Sequence, residues 1–238
     1  LDIWRLLNKK QITPYNKIEI YNHKEKSIEF NASDINLEFL GYIVNENDLV
    51  KNISDKVIDS QKIKKLSKIQ LSTESECLNI VSNYDDIFSK EDLVNFESKD
   101  YIQTAVNITF QHTEKNMGIP RQIFFRDEIL GLLPINDNVY NLIWSMPNYV
   151  YNKINSSNNQ EYEKLINERT NFILGDVSKV KVGKSFSLSS RHANKYFYKN
   201  SFLVGDIAHK FHPLAGLGLN MGIEDVATLT DLISSNYK

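Results

Sequence analysis

Apolar and polar positions along the chain mostly alternate in short runs, and only in a few places do they recur at helical spacing. The opening LDIWRLLNKKQITPYNKIEIYNHKEKSIEF predicts a short helical turn followed by two strands, Lys17 to Tyr21 and Ser27 to Phe30, around a turn at Asn22–Lys26. Leu49, Ile53, Val57 and Ile58 then share one face of an amphipathic helix over Asp48 to Asp59, with Asn45 or Asn47 available as its cap. KKLSKIQLS and CLNIVS read as strands. From Tyr101, the run YIQTAVNITFQH sets Ile108 and Phe110 against Asn107, Thr109 and Gln111, the period-two pattern of a half-buried strand. RQIFFRD, ILGLLPI and VYNLIWSM continue it as an antiparallel sheet of about four strands. SSNNQ is a polar loop, EYEKLINERTNFILG a helix ending at Gly175, and KVGKSFSLSS another strand. The last portion differs in character. KNSFLVGD is a short apolar strand ending in Gly-Asp, a glycine-rich loop follows, and Leu219, Ile223, Val226, Leu229 and Ile233 form a helical stripe. Strand, glycine loop and helix in that order form a ligand-binding arrangement of α/β proteins.

Composition narrows the class. The 238 residues are 41% hydrophobic and 24% charged with a formal net charge of -2, which fits a globular protein of one or two domains with a real core. No basic run supplies the clustered Lys and Arg that phosphate backbones require, so nucleic acid is set aside. The single cysteine, Cys77, excludes an internal disulfide framework and a cysteine-based zinc site, and its apolar surroundings place it in the core. No stretch of about 18 apolar residues occurs, so no spanning helix is expected, while a peripheral membrane contact stays open. The sequence begins at Leu1 without a charged-then-apolar leader, from which we expect no signal peptide and a native N-terminus further upstream.

The chemistry concentrates in residues 205 to 225, GDIAHKFHPLAGLGLNMGIED. As a phosphate cradle the loop is weak, because a dinucleotide fingerprint should open its βαβ unit and be followed about 20 residues later by an acid. As a metal site it is weaker still. His209 and His212 are three apart, but Pro213 and the flanking glycines oppose a helix there and no third ligand is near, so local hydrogen bonding is the simpler role. The third reading uses every element. Asp206 at a strand end can accept from hydroxyls, and Gly216, Gly218 and Gly222 let backbone approach a flat ring and leave N–H groups at a helix start, which favours the anionic edge of a reduced flavin.

These residues resemble the second FAD motif of the FAD-dependent aromatic hydroxylases, GD-x-AH-x-x-x-P-x-x-G-x-G-x-N-x-G-x-x-D, and are most similar to the branch that hydroxylates ubiquinone precursors. The resemblance implies that Asp206 holds the ribityl chain, that Pro213 lies near the ring, and that the backbone of Gly218, Leu219 and Asn220 meets its pyrimidine edge, with Gly205 and Gly216 also counted among the cofactor-binding residues. Leu217 departs from the glutamine usual in that branch. TPYNKIEIYNHKEKSIEF, LGYIVNENDL, YIQTAV, RQIFF and GLLPINDNVYNLIWSMP resemble the family's substrate-domain strands and following helix, with Gln122, Leu133 and Pro134 at positions near the pocket. A mid-chain Asp-Gly motif appears as SNYDDIFSKED, where Asp85 keeps the acid while Asp86 replaces the glycine. A Gly-Pro pair is Glu128-Ile129 here, and the N-terminal GxGxxG unit that holds the ADP half of FAD is expected before Leu1.

The resemblance therefore implies an α/β (α+β) fold: a partial p-hydroxybenzoate-hydroxylase-like FAD-binding domain with an antiparallel-sheet substrate domain. Residues 1–40 are expected to be substrate-domain strands, 41–96 part of the FAD-binding domain, 97–195 the substrate sheet, and 196–238 the second flavin motif and its helix. It also implies a monooxygenase that uses FAD, NAD(P)H and O₂ to hydroxylate a prenylated phenol, with no metal and no assigned catalytic side chain. Such an enzyme would work in the cytoplasm or, in a eukaryote, on the matrix side of the mitochondrial inner membrane, where a ubiquinone-biosynthesis complex could be its partner. The departures leave two other classes open: a non-catalytic remnant or interaction subunit, and a related flavin epoxidase or reductase. Trp144 with Tyr149–Tyr151 could face a membrane that delivers the substrate, or be sheet core and surface tyrosines.

Overall fold

The computed structural model describes residues 3–9, 12–64, 72, 74, 77–82, 94–114, 118–212 and 216–236. In chain order the elements are α1 (Ile3–Leu6), β1 (Ile12–Tyr15), β2 (Lys17–Asn22), β3 (Glu25–Asn31), β4 (Gly41–Val44), α2 (Glu46–Ile58), β5 (Asn79–Val81), β6 (Phe96–His112), β7 (Arg121–Phe124), β8 (Ile129–Asn136), β9 (Val139–Pro147), α3 (Asn148–Ile154), α4 (Asn159–Leu174), β10 (Val177–Ala193), β11 (Phe197–Tyr198), β12 (Ser201–Leu203), β13 (His209–Lys210) and α5 (Leu217–Asn236). They group into two compact units, residues 1–65 with 103–186, and residues 66–102 with 187–238. The expected boundary after residue 40 is not a boundary of these units, because residues 41–65 belong to the first.

In the first unit the strands run in the order β10-β6-β9-β8-β7-β2-β3, more than the four expected. Most neighbours are antiparallel, but β2 lies parallel to β7, with Glu19 opposite Arg121 and Tyr21 opposite Ile123. β2 and β3 thus extend the sheet, whereas β1 pairs antiparallel with β4 in a separate two-stranded sheet. Alternation decides which face is buried. Val106, Ile108, Phe110, Leu130, Leu142 and Trp144 point to one side and close over Tyr162, Ile166 and Leu174 of α4. Burial of each such side chain stabilises the fold by about 1.5–3 kcal/mol. α4 starts at a full capping box: the Asn158 side chain accepts from the Gln160 and Glu161 N–H groups while Glu161 accepts from the Asn158 N–H. It ends at Gly175, whose φ of 62° suits glycine and where a Cβ would run into Thr113 Oγ1. α2 is capped by Asn45, one of the two candidates.

Trp144 is fully buried and donates its Nε1–H to Glu128, which also takes two hydrogen bonds of 3.0 Å from Arg169; the Arg169 guanidinium lies 4.8 Å from the indole centroid. This removes Trp144 from any membrane-facing surface and explains Glu128: the carboxylate fastens α4 to the sheet. Tyr149 is exposed on α3, a helix not anticipated from the sequence, and Tyr151 shares a hydrogen bond with Ser185.

The second unit is smaller. β12 pairs parallel with β5 and antiparallel with β11, and the end of β10 pairs with β13. Its buried cluster is Val94, Ala193, Leu203, Ile207 and Ala208. Cys77 is half-buried rather than in the core, its Sγ 3.6 Å from a Glu74 carboxylate oxygen, because the apolar run around it forms only the short β5. Most of the KKLSKIQLS strand and the Asp85-Asp86 segment lie outside the described residues.

Candidate functional site

The second unit assembles the Gly-Asp turn from both sides. β12 is fixed beside β5 by parallel pairing, with Phe202 opposite Ile80, and the ladder is extended when the Val204 N–H donates to the Val81 carbonyl at 2.9 Å. Here the chain must leave the sheet. Gly205 takes a φ of 67°, and Gly205–Ile207 form a 3-10 turn closed by the Ala208 N–H on the Gly205 carbonyl. Ile207 and Ala208 anchor the turn in the core, whereas Asp206 between Gly205 and Ile207 is exposed. A carboxylate is therefore presented at the carboxyl end of a parallel strand, the edge where open α/β sheets bind ligands.

α5 starts after Gly216, whose φ of 62° calls for glycine. A Cβ at Gly216 or Gly218 would meet nothing within 4 Å, so packing within the described residues does not require a bare backbone at Gly218. The first turn of any α-helix has N–H groups without intrahelical partners, and here Leu217, Leu219 and Asn220 lie in it with Leu219 about half exposed. The described members of the proposed cofactor set, Gly205, Asp206, Gly216, Gly218, Leu219 and Asn220, thus sit in two segments of one unit, the turn after β12 and the start of α5. Pro213 and Asp85 lie outside the described residues.

The face that α5 turns toward the Gly-Asp turn is not the predicted stripe. Leu219, Ile223 and Val226 are 55%, 44% and 50% exposed, while Leu229 is buried. The near face carries Gly222, where a Cβ would lie 3.4 Å from the Gly205 Cα, and Asp225. One oxygen of Asp225, Oδ2, accepts from the Gly205 N–H at 2.8 Å and from His209 Nε2 at 2.7 Å. A carboxylate only accepts, so Nε2 carries the proton in this pair. The His209 side chain is 2% exposed, and its ring lies beside those of Tyr196 and Phe211. Sequence reasoning gave His209 only local hydrogen bonding and left Asp225 without a role. The signal was present in the motif, whose histidine and final aspartate stand 16 residues apart and come together only when α5 folds back. Burial lowers the tendency of His212 to take a proton, and its ring meets Tyr101 edge-on at 5.0 Å.

In the first unit, Gln122 and Leu133 point to the same, less buried side of the sheet. Cross-strand register sets Gln122 opposite Gly131, Gly131 opposite Ile143, and Ile143 opposite Asn107, while Leu133 stands opposite Asn141. The Asn141 amide donates to Asn107 Oδ1 at 2.6 Å on this face. Pro134 does not join them. It is buried on the opposite side, facing Tyr140 across the β8–β9 ladder, because neighbouring strand residues alternate faces.

The model of the FAD binding domain family matches residues 88–238. The chain is 24% identical to 3-demethoxyubiquinol 3-hydroxylase of Escherichia coli (strain K12) over 98% of its own length and 64% of that protein's. It is 30% identical to the ubiquinone hydroxylase UbiL of Rhodospirillum rubrum over 55% of its length and 30% of that protein's. The chain thus spans less than two thirds of either relative. Among solved structures it resembles p-nitrophenol 4-monooxygenase PnpA of Pseudomonas putida DLL-E4, with a TM-score of 0.67 and 11% identity over 94% of this chain and 63% of that one. That likeness is one of fold.

Proposed function

The chain belongs to the FAD binding domain family, and from that premise we propose that it is the body of a FAD-dependent monooxygenase that hydroxylates the ring of a prenylated phenol on the way to ubiquinone. The observation that carries the reading is the exposed Asp206 carboxylate at the carboxyl end of β12, with Gly216 and Gly218 leaving open space at the start of α5. These residues fit FAD. Asp206 would accept from ribityl hydroxyls, the bare backbone at Gly218 would admit a flat ring, and the N–H groups of Leu219 and Asn220 would be available to its pyrimidine edge. Bound FAD, reduced by NAD(P)H, would supply the activation of O₂.

We assign the flavin-contacting residues to the second unit and the substrate-contacting residues to the first. There Gln122 offers an amide for a phenol oxygen and Leu133 an apolar contact for the ring, on a face that otherwise carries Gly131 and Ile143. Pro134 supports β8 from the core side. The E. coli and R. rubrum proteins carry ubiquinone-pathway names, which favours a phenol with an isoprenoid tail over a free phenol. No described helix is long and apolar enough to cross a membrane. On this reading a tail embedded in lipid is met by peripheral contact. We place that contact at the inner membrane, on its cytoplasmic side or, in a eukaryote, its matrix side, within a ubiquinone-biosynthesis complex.

The test is FAD titration followed by product analysis on the protein as its gene encodes it. Visible flavin absorption and NAD(P)H-dependent hydroxylation of a prenylated phenol are expected. Asp206→Ala should weaken FAD binding by about tenfold or more, the scale of a lost hydrogen bond to a charged group. A wild-type protein that takes up no FAD, or an Asp206→Ala variant with unchanged affinity and turnover, would sink this reading.

A further inference from the structure

The Asp225 carboxylate has no part in the cofactor contacts described above, yet it joins the two segments that make them. Its Oδ2 holds the Gly205 N–H at 2.8 Å and the His209 Nε2 at 2.7 Å. Gly205 directly precedes Asp206, and His209 lies three residues beyond it, so the two bonds straddle the Asp206 turn. The carboxylate comes from the third turn of α5, the helix whose first turn carries Gly218, Leu219 and Asn220. Close packing completes the junction, since a Cβ at Gly222 would lie 3.4 Å from the Gly205 Cα. His209 is 2% exposed at its side chain and Asp225 21%, so water competes little at the histidine end.

We propose that Asp225, through His209 and the Gly205 N–H, is a positioning residue that locks the Asp206 turn to α5 so that the ribityl-binding carboxylate and the ring-binding helix start form one rigid seat. The inference rests on the flavin reading above. Its physical basis is pre-organisation. Without the clamp, Gly205 with its positive φ is a swivel, and Asp206 must be ordered by the ligand at the expense of affinity. With it, the turn is held from the β12 side by the β5 ladder and from the α5 side by two hydrogen bonds to one carboxylate oxygen. The two carboxylates then have separate tasks, Asp206 facing the ligand and Asp225 facing the chain.

Three flavins separate positioning from general support in the protein as its gene encodes it: FAD, riboflavin, and lumiflavin, which lacks the ribityl chain. Asp225→Ala is expected to weaken FAD and riboflavin by about tenfold, the equivalent of about 1.4 kcal/mol, and to leave lumiflavin within about twofold. Asp225→Asn keeps an acceptor oxygen and should recover most of the loss. Equal weakening of all three flavins would mean that Asp225 only supports the fold, and unchanged binding would mean that the clamp does not order the turn. Either overturns the proposal. If circular dichroism shows that Asp225→Ala is unfolded, His209→Phe, which keeps the ring and removes the donor, is judged by the same pattern. A wild type that binds none of the flavins overturns the flavin reading itself, whereas a wild type that binds them and variants that match it overturn only the clamp.

Discussion

At Glu19 a charge is buried in the sheet, and the residues around it show how it is kept. The side chain of Arg121 donates from Nε to Glu19 at 2.8 Å and also bonds the hydroxyl of Tyr140, which in turn donates to the Ile119 carbonyl; Tyr21 adds a bond to Glu19 at 3.0 Å. Burial alone pushes the Glu19 carboxyl up, but the hydrogen bond and charge of Arg121, with Tyr21 and Lys26, outweigh it and hold the group below its usual range. The sign follows. A carboxyl depressed in the folded state contributes stability that is present above its unfolded pKa of about 4.3 and is lost as pH falls through the folded value. Urea melts taken down through that range should show stability falling, and Glu19→Gln should flatten that acid limb. Arg121→Met is expected to cost about 3 kcal/mol at neutral pH, because it takes the main charged partner from a buried carboxylate and leaves it only Tyr21 and the Lys26 ammonium at 3.6 Å; a loss below about 0.5 kcal/mol would place the pair in effective contact with water. None of this was legible from the sequence. Glu19 and Arg121 are 102 residues apart and meet only because β2 lies parallel to β7. The position of Asp206 at the end of a strand was legible, since strand, Gly-Asp and glycine loop are contiguous.

At the scale of elements, spacing located helices better than it assigned their faces. Asn158 and Gly175 bracket α4 as their residue types require, because caps are local chemistry. For α5 the periodicity marked Leu219, Ile223, Val226, Leu229 and Ile233 as the packing stripe, and of these only Leu229 is buried. The face against the Gly-Asp turn is small and polar because it must approach backbone closely, and a scale that rewards size overlooks glycine. This yields a graded expectation at Gly222. Alanine makes only ordinary contact with Gly205 at 3.4 Å and favours the helix by about 0.5–1 kcal/mol, so Gly222→Ala should raise the melting temperature and keep FAD affinity within about twofold. Gly222→Leu has to displace α5 from the turn and should weaken FAD by about tenfold or more. Equal FAD affinity in the leucine variant would show that close approach at this point does not shape the seat.

Across the whole molecule the two units differ in how much core they own. Among the described residues the first buries a cluster of sixteen and the second a cluster of five, so local opening should be easier in the second. Hydrogen exchange read by mass spectrometry should find the amides of β9 and residues 103–112 of β6 slowest, with β5 and β12 faster. FAD should slow exchange chiefly at residues 201–210 and 217–225, because a ligand that binds only the folded form stabilises what it touches. Uniform protection across both units would contradict this picture. The sequence alone determined the strands β2, β3 and β6 to β9, the Asn45 and Gly175 caps and the Gly-Asp loop, since alternation, capping and positive-φ turns are settled by residues close together in the chain. Only the tertiary structure decided the parallel β2–β7 pairing, the work of Glu128 and the meeting of Asp225 with His209 and Gly205. Those depend on which distant segments share a face, and pairing over such distances is set by the closing of the whole sheet and by the one helix orientation that lets backbone meet backbone.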